Sequence, residues 1–251
     1  MIGPLLDRFC FWNLPSFFKS YELPAPHEVI REGGLEIWYV PGKPDGPTVL
    51  FCHGNAGNLR FPNARRDRLM AIHQTGANLW AFDYRGFGRS QGRPSESGVY
   101  EDALLVHGLA RERHRAGNPF ILYGRSLGGA VATYLATELE PPDRLVLEST
   151  FTSAVDVCAG WVGQDLAQTM SYRFNSSKRI EHLKCPLYMM HGRSDRVVRY
   201  ALGRKLYERY KGPKEFVSVV GAGHNNLQKA ARGLYEETLQ RWLSPTLVEH
   251  L

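Results

Sequence analysis

Cysteine is scarce in this 251-residue chain, and the four present (Cys10, Cys52, Cys158 and Cys185) stand far apart. None forms a C-x-x-C pair and no Cys/His spacing matches a zinc site, which argues against a disulfide framework, a metal module or a dithiol redox motif. Buried thiols are the remaining reading, and they suit a reducing compartment. Long hydrophobic runs are missing too: no segment reaches the roughly 18 consecutive apolar residues of a membrane span. There is no internal repeat and no low-complexity linker. The phosphate-binding string G-x-x-x-x-G-K-[ST] does not occur, and "GRSLGG" (124–129) has the wrong glycine spacing for a dinucleotide fingerprint. The first residues, "MIGPLLDRFCFWNLPSFFKSYELPAP", lack a basic leader, a clean apolar core and a small-x-small cleavage site, so no signal peptide is expected.

What is present is the composition of an ordinary globular protein, 43% hydrophobic and 22% charged. The length allows one large α/β domain or two small ones. Lys and Arg number 31 against 25 Asp and Glu, a formal charge of +6. The excess is scattered, with acids interleaved in "RRDR" (65–68) and "RERHR" (111–115). Both read as solvated helix faces. No aromatic–basic stripe accompanies them, so no nucleic-acid partner is expected. Residues 1–27 form a segment rich in aromatics: Phe9, Phe11, Trp12, Phe17 and Phe18. It can pack on the domain body or serve as an interfacial membrane foot. A cytoplasmic protein is expected, peripheral to a membrane on the second reading.

From residue 28 onward, short apolar runs alternate with helical patterns. Strands are expected at 35–40, 48–53, 78–83, 119–124, 144–149, 186–191 and 215–220. Several are apolar at nearly every position, as strands buried on both faces are. Helices are expected at about 59–75, 96–116, 126–138, 199–210 and 226–243, two of them ending at a glycine stop. This alternation means a doubly wound, mostly parallel sheet with helices on both faces. The first strands, joined by "EGG" (32–34), look like an antiparallel hairpin at one edge. Residues about 151–180 break the rhythm and carry Phe151, Trp161, Tyr172 and Phe174. They read as a short helical lid lining an apolar acyl pocket, or as a plain surface helix pair.

"ILYGRSLGGA" (121–130) carries the chemistry. Gly124-Arg125-Ser126-Leu127-Gly128 matches G-x-S-x-G after a strand and before a helix, the context in which that motif makes a nucleophile elbow. The turn is so sharp that residues two before and two after the serine must be very small. A serine needs a base, and "GAGHNN" supplies His224 behind the last strand. An acid should follow an earlier strand, and "HGRSDRVV" supplies Asp195. The order Ser126, Asp195, His224 is that of an α/β-hydrolase sheet. Glu148, at the end of an earlier strand, is the rival acid. His191, His53 and Asp83 read as turn and loop residues. For a developing oxyanion the candidate donors are backbone N–H groups: Asn55 in the glycine-rich "HGNAGN", Leu127 after the serine, and Ala56 as a further candidate.

These motifs, together with "DYRGFGRSQG" and "ESTFTS", resemble those of the α/β-hydrolases. They are most similar to the branch of bud-emergence-type proteins and animal α/β-hydrolase-domain serine hydrolases. The resemblance runs from about residue 28 to about 243. It implies an eight-stranded, mostly parallel sheet and a Ser-Asp-His triad mapping onto Ser126, Asp195 and His224. Some relatives in that branch resemble depalmitoylases with cysteine-rich N-terminal segments, whereas here that segment has only Cys10. The expected function is a serine hydrolase of carboxylic esters or thioesters, with no metal and no cofactor. Its expected partner is a small or lipid-like acyl substrate. A peptidase or amidase, and a non-catalytic binding scaffold of the same fold, are the alternatives.

Overall fold

The computed structural model describes residues 3–11, 25–60 and 64–245. Its frame is one sheet of eight strands: β1 (Glu28–Glu32), β2 (Leu35–Val40), β3 (Thr48–Cys52), β4 (Asn78–Phe82), β5 (Phe120–Arg125), β6 (Arg144–Glu148), β7 (Leu187–Gly192) and β8 (Lys214–Val219). They lie in the order β1-β2-β4-β3-β5-β6-β7-β8. β1 and β2 are an antiparallel hairpin, β2 runs antiparallel to β4, and all further pairs are parallel. The hairpin turns on Gly33 and Gly34, both at positive φ (57° and 78°). A tight two-residue turn that matches the strand twist requires this, and only glycine adopts it freely.

The helices are α1 (Gly3–Asp7), α2 (Ala64–Gln74), α3 (Glu96–Glu112), α4 (Leu127–Glu138), α5 (Ala154–Val162), α6 (Gln164–Ala167), α7 (Ser176–Arg179), α8 (Tyr200–Arg209), α9 (Leu227–Ala231) and α10 (Gly233–Leu243). The central strands are buried at every position, and alternate side chains feed opposite faces of the sheet. Leu50, Cys52 and Leu122 pack with Val99, Ala103 and Val131 from α3 and α4. Val49, Phe51 and Tyr123 pack with Leu69, Ile72, Leu239 and Trp242 from α2 and α10.

Three helices differ from the sequence expectation. α2 begins at Ala64, later than the expected start near 59, and residues 59 and 60 form a turn. α3 stops at Glu112, short of the glycine at 117. The side chains just beyond it are claimed by the sheet end: Arg113 pairs with Glu28 at 2.6 Å, the His114 ring meets the Thr48 hydroxyl at 2.9 Å, and Arg115 reaches the Pro44 carbonyl. The single helix expected over 226–243 is two helices. Arg232 takes φ 52° between them, and the new axis puts Tyr235, Leu239 and Trp242 against the sheet.

The connection from β6 to β7 carries α5, α6 and α7 instead of one crossover helix. The N-terminal segment is fastened to it. Asp7 accepts hydrogen bonds from the Ser171 and Tyr172 N–H groups at 2.9 and 3.2 Å, and the Phe11 ring sits edge-on to Tyr172 and Phe174. Trp12, Phe17 and Phe18 lie outside the described residues. No helix among the described residues is long and apolar enough to cross a membrane.

Trp242 is 1% exposed and Leu234, in the first turn of α10, is 45% exposed. Trp242→Ala is expected to cost about 3–5 kcal/mol of stability, and Leu234→Ala about 0.5 kcal/mol or less. Urea denaturation midpoints of the two variants check this contrast.

Candidate active site

The turn from β5 into α4 is sharp. Ser126 stands at its apex with φ 54° and ψ −119°, a conformation that costs a non-glycine residue about 1–3 kcal/mol. Several contacts hold it there. The Ser126 N–H donates to the Glu148 carbonyl at 2.9 Å, and the Ser126 carbonyl accepts from the Thr150 hydroxyl at 2.8 Å and the Gly129 N–H at 2.9 Å. The glycines have the steric job expected of them. A Cβ on Gly124 would strike the Gly128 carbonyl, and one on Gly128 would strike the backbone of Cys52 and His53.

His224 and Asp195 reach this turn from the loops after β8 and β7. His224 Nε2 lies 3.1 Å from Ser126 Oγ, and its Nδ1 lies 2.7 Å from Asp195 Oδ2. The other Asp195 oxygen accepts from the N–H groups of Val197 and Val198 at 2.9 and 2.8 Å, and His191 Nε2 stands 3.4 Å from Oδ2. Burial pushes the Asp195 carboxyl up, but the bonds from His191, His224 and Val198 outweigh this and leave it below its usual range. Burial pushes the His224 imidazole below its usual value; Arg125 adds to the shift and Asp195 opposes it. A neutral imidazole between a hydroxyl and a carboxylate can accept the hydroxyl proton and hold the resulting charge.

Glu148 is engaged elsewhere. Its carboxylate meets Arg68 Nη2 at 2.7 Å and Arg68 Nε at 2.8 Å, the Tyr123 hydroxyl at 2.7 Å and the Tyr235 hydroxyl at 2.9 Å. Arg125 Nε stands 3.6 Å away, and the far end of Arg125 donates to the His224 carbonyl at 2.7 Å and to Asn225 Oδ1 at 2.9 Å. "RRDR" is therefore a solvated face only in part: Arg66 and Asp67 are exposed, but Arg68 is 2% exposed, and Arg65 donates to the carbonyls of Gly54 and Ala56 at 3.1 and 2.9 Å. His53 and Asp83 form a separate buried pair at 3.2 Å, with Asp83 accepting from the Leu59 N–H at 2.8 Å.

Beside Ser126 opens a cavity of about 420 Å³. Asn55, Ala56, Ser126, Leu127 and His224 line one end, and Phe151, Val157, Cys158, Trp161 and Met170 line its apolar wall with Phe9 and Cys10. Of the four aromatics expected around an acyl pocket, Phe151 and Trp161 are on this wall. Tyr172 lines a neighbouring open hollow, and Phe174 is fully buried against Tyr100 and Phe11. The Ala56 N–H points back to the Asn55 side-chain oxygen at 2.9 Å. Leu127 begins α4, where helical N–H groups have no acceptor within the helix. No cluster of three or more His, Cys, Asp or Glu that could hold a metal occurs among the described residues. Sequence reasoning missed Cys10, Val157, Met170 and Arg125. The first three look like any core residue in the sequence, and the motif leaves the Arg125 position free.

The family described as "Serine aminopeptidase, S33" matches residues 43–178. The chain belongs to this family. It is an α/β-hydrolase. An uncharacterized protein of Mycobacterium tuberculosis is 35% identical to this α/β-hydrolase, over 91% of this chain and 83% of the relative. The lysophosphatidylserine lipase of Rattus norvegicus is 34% identical over 70% of this chain and 48% of its own, so the chain spans about half the length of that lipase. Among solved structures, a Pyrococcus furiosus esterase superposes with TM-score 0.74 at 20% identity, covering 93% of this α/β-hydrolase and all of the esterase.

The Arg68 and Arg125 guanidiniums outweigh the upward push of burial and hold the Glu148 carboxyl down to about 2. A carboxyl depressed in the folded state contributes stability above its unfolded value of about 4.3, and that contribution is lost as pH falls toward 2. Glu148→Gln leaves two buried cations without their counterion and is expected to destabilise by about 3–5 kcal/mol at neutral pH. Its denaturation midpoint should also change less than the wild type's between pH 5 and pH 3, which urea titrations at both values measure.

Proposed function

We propose that this α/β-hydrolase cleaves carboxylic esters or thioesters through an acyl-enzyme on Ser126. The observation that carries the reading is the contact of Ser126 Oγ with His224 Nε2 at 3.1 Å, at the end of a cavity walled by apolar side chains. In the first step His224 takes the Ser126 proton as Oγ bonds to the substrate carbonyl carbon. The N–H groups of Leu127 and Asn55 receive the oxyanion, each such donor contributing about 3 kcal/mol to the transition state. The Ala56 N–H is the weaker candidate because its own neighbour's carboxamide occupies it. Collapse expels the alcohol or thiol, which takes the proton from His224. Water, deprotonated by His224, then attacks the acyl carbon and returns Ser126 to its hydroxyl form. Asp195 keeps the imidazole oriented and offsets its transient charge.

The acyl chain is placed in the cavity against Phe151, Trp161, Val157 and Met170, with α5 and α6 as its lid. A lipase acting on a lysophospholipid, 34% identical over most of this chain, supports a lipid-like acyl substrate. The family description favours a second reading, an aminopeptidase. Such an enzyme needs a partner for the substrate's α-ammonium. No aspartate or glutamate is among the described residues lining the cavity, and this weighs toward the ester.

Ser126→Ala is expected to lower kcat on p-nitrophenyl esters by about four to six orders of magnitude and to abolish labelling by a fluorophosphonate probe. Wild-type activity in that variant would exclude Ser126 as nucleophile. Folded wild type that takes no label would point to a binding scaffold. Activity should rise with acyl chain length from acetate upward; a preference for aminoacyl anilides over esters would favour the peptidase. Because burial lowers the His224 pKa, the acid limb of kcat/KM should have its midpoint below the free-histidine value of about 6.5.

A further inference from the structure

Among the described residues, eight large hydrophobic side chains are exposed, and five gather at one place. Phe9, Trp161 and Val197 are 52%, 54% and 41% exposed while also lining the cavity beside Ser126. Phe9 meets Trp161 edge-to-face at 6.5 Å. Val162 comes directly after Trp161 at the end of α5, and Leu5 shares an adjoining open hollow with Phe9. They come from three separate segments: the N-terminus, α5 and the loop after β7. A patch of this kind around a cavity mouth marks a contact surface.

Three arginines stand among these tips. Arg8 lines the hollow with Leu5 and Phe9, Arg196 precedes Val197, and Arg199 lies across Gly160, next to Trp161, where a Cβ would come within 2.9 Å of its Nη2. All three are exposed, and none makes an ion pair among the described residues. Against these three arginines stand two acids, Asp7 lining the same hollow and exposed Asp165 on α6, so the rim keeps a net positive charge.

We infer that this rim docks on the headgroup plane of an anionic lipid bilayer, with the cavity mouth facing the membrane. Apolar tips enter the headgroup–acyl boundary, and the unpaired guanidiniums meet lipid phosphates and carboxylates. The inference rests on the reading of the cavity as an acyl site: an amphiphile drawn from the bilayer slides its chain along Phe9 and Trp161 without crossing water. The charge is what selects this occupant. A second copy of the chain would bring the same arginines face to face.

The test uses the full chain carrying Ser126→Ala, so that lipid is not consumed and the binding result is independent of whether Ser126 is the nucleophile. Cosedimentation is measured with vesicles of phosphatidylcholine alone and of phosphatidylcholine mixed with phosphatidylserine. Binding is expected to the mixed vesicles, and to weaken with salt. Arg196→Glu/Arg199→Glu and Leu5→Glu/Val162→Glu, none of which touches the triad, should each reduce it more than about tenfold. Val29→Glu, on the exposed edge strand β1, should bind like the parent, and near-UV circular dichroism checks that every variant is folded. No binding by the parent, equal binding to both vesicle types, or double variants that bind like the parent would each overturn the proposal. So would a concentration-dependent dimer that survives added vesicles, since the rim would then be covered by its own copy.

Discussion

One buried carboxylate ties the structure together. Glu148 sits at the end of β6, where α2, β5 and α10 converge, and each sends a polar group to it: Arg68, Tyr123 and Tyr235. Taking such charges out of water is costly, and only dense pairing offsets the cost. That pairing also aligns Ser126 with His224. The same residue's carbonyl receives the Ser126 N–H, and Arg125 runs from its carboxylate to the carbonyl of His224. The serine's turn and the histidine's loop, 98 positions apart in sequence, are therefore referred to a common point. A base that must sit within hydrogen-bond reach of a hydroxyl has little tolerance for drift, and a loop alone would supply it poorly.

The strained turn depends on this constraint. Ser126 keeps its left-handed backbone because Glu148 and Thr150 hold both of its peptide groups, and because Gly124 and Gly128 let β3 and α4 close around it. The strain is local, while its support is spread over β3, β5, β6 and α4.

Much of this was legible in the sequence, for identifiable reasons. A strand buried on both faces announces itself by an unbroken apolar run, so "TVLFC" and "FILYG" were readable, as were the β1–β2 hairpin from its paired glycines and the sheet from the alternation of elements. The structure brings Ser126, Asp195 and His224 together, and their chain order is what singled them out in the sequence. What escaped was whatever depends on who faces whom. "RRDR" looks like a solvated face because nothing in those four letters says that Glu148, 80 positions on, is waiting for Arg68. Tyr172 and Phe174 looked equivalent to Phe151 and Trp161, since aromatic character does not say which side of a loop a ring takes. The positive φ of Arg232 was hidden for a similar reason: an arginine carries no mark of a helix break.

The cavity has two authors in the sequence. The end beside Ser126 is written in the glycine-rich motifs between residues 53 and 130 and in the loops of Asp195 and His224. Its far wall includes Phe9 and Cys10, held by the Asn55 carboxamide, which donates to the Phe9 carbonyl at 2.6 Å. Those two residues precede the first strand, whereas Ser126, Asp195 and His224 all follow it. If the cavity holds an acyl chain, the groups beside its carbonyl and part of the wall that meets its tail come from separate segments of the chain. Relatives that share every motif can then diverge in diet by rewriting a few residues at one end of the chain.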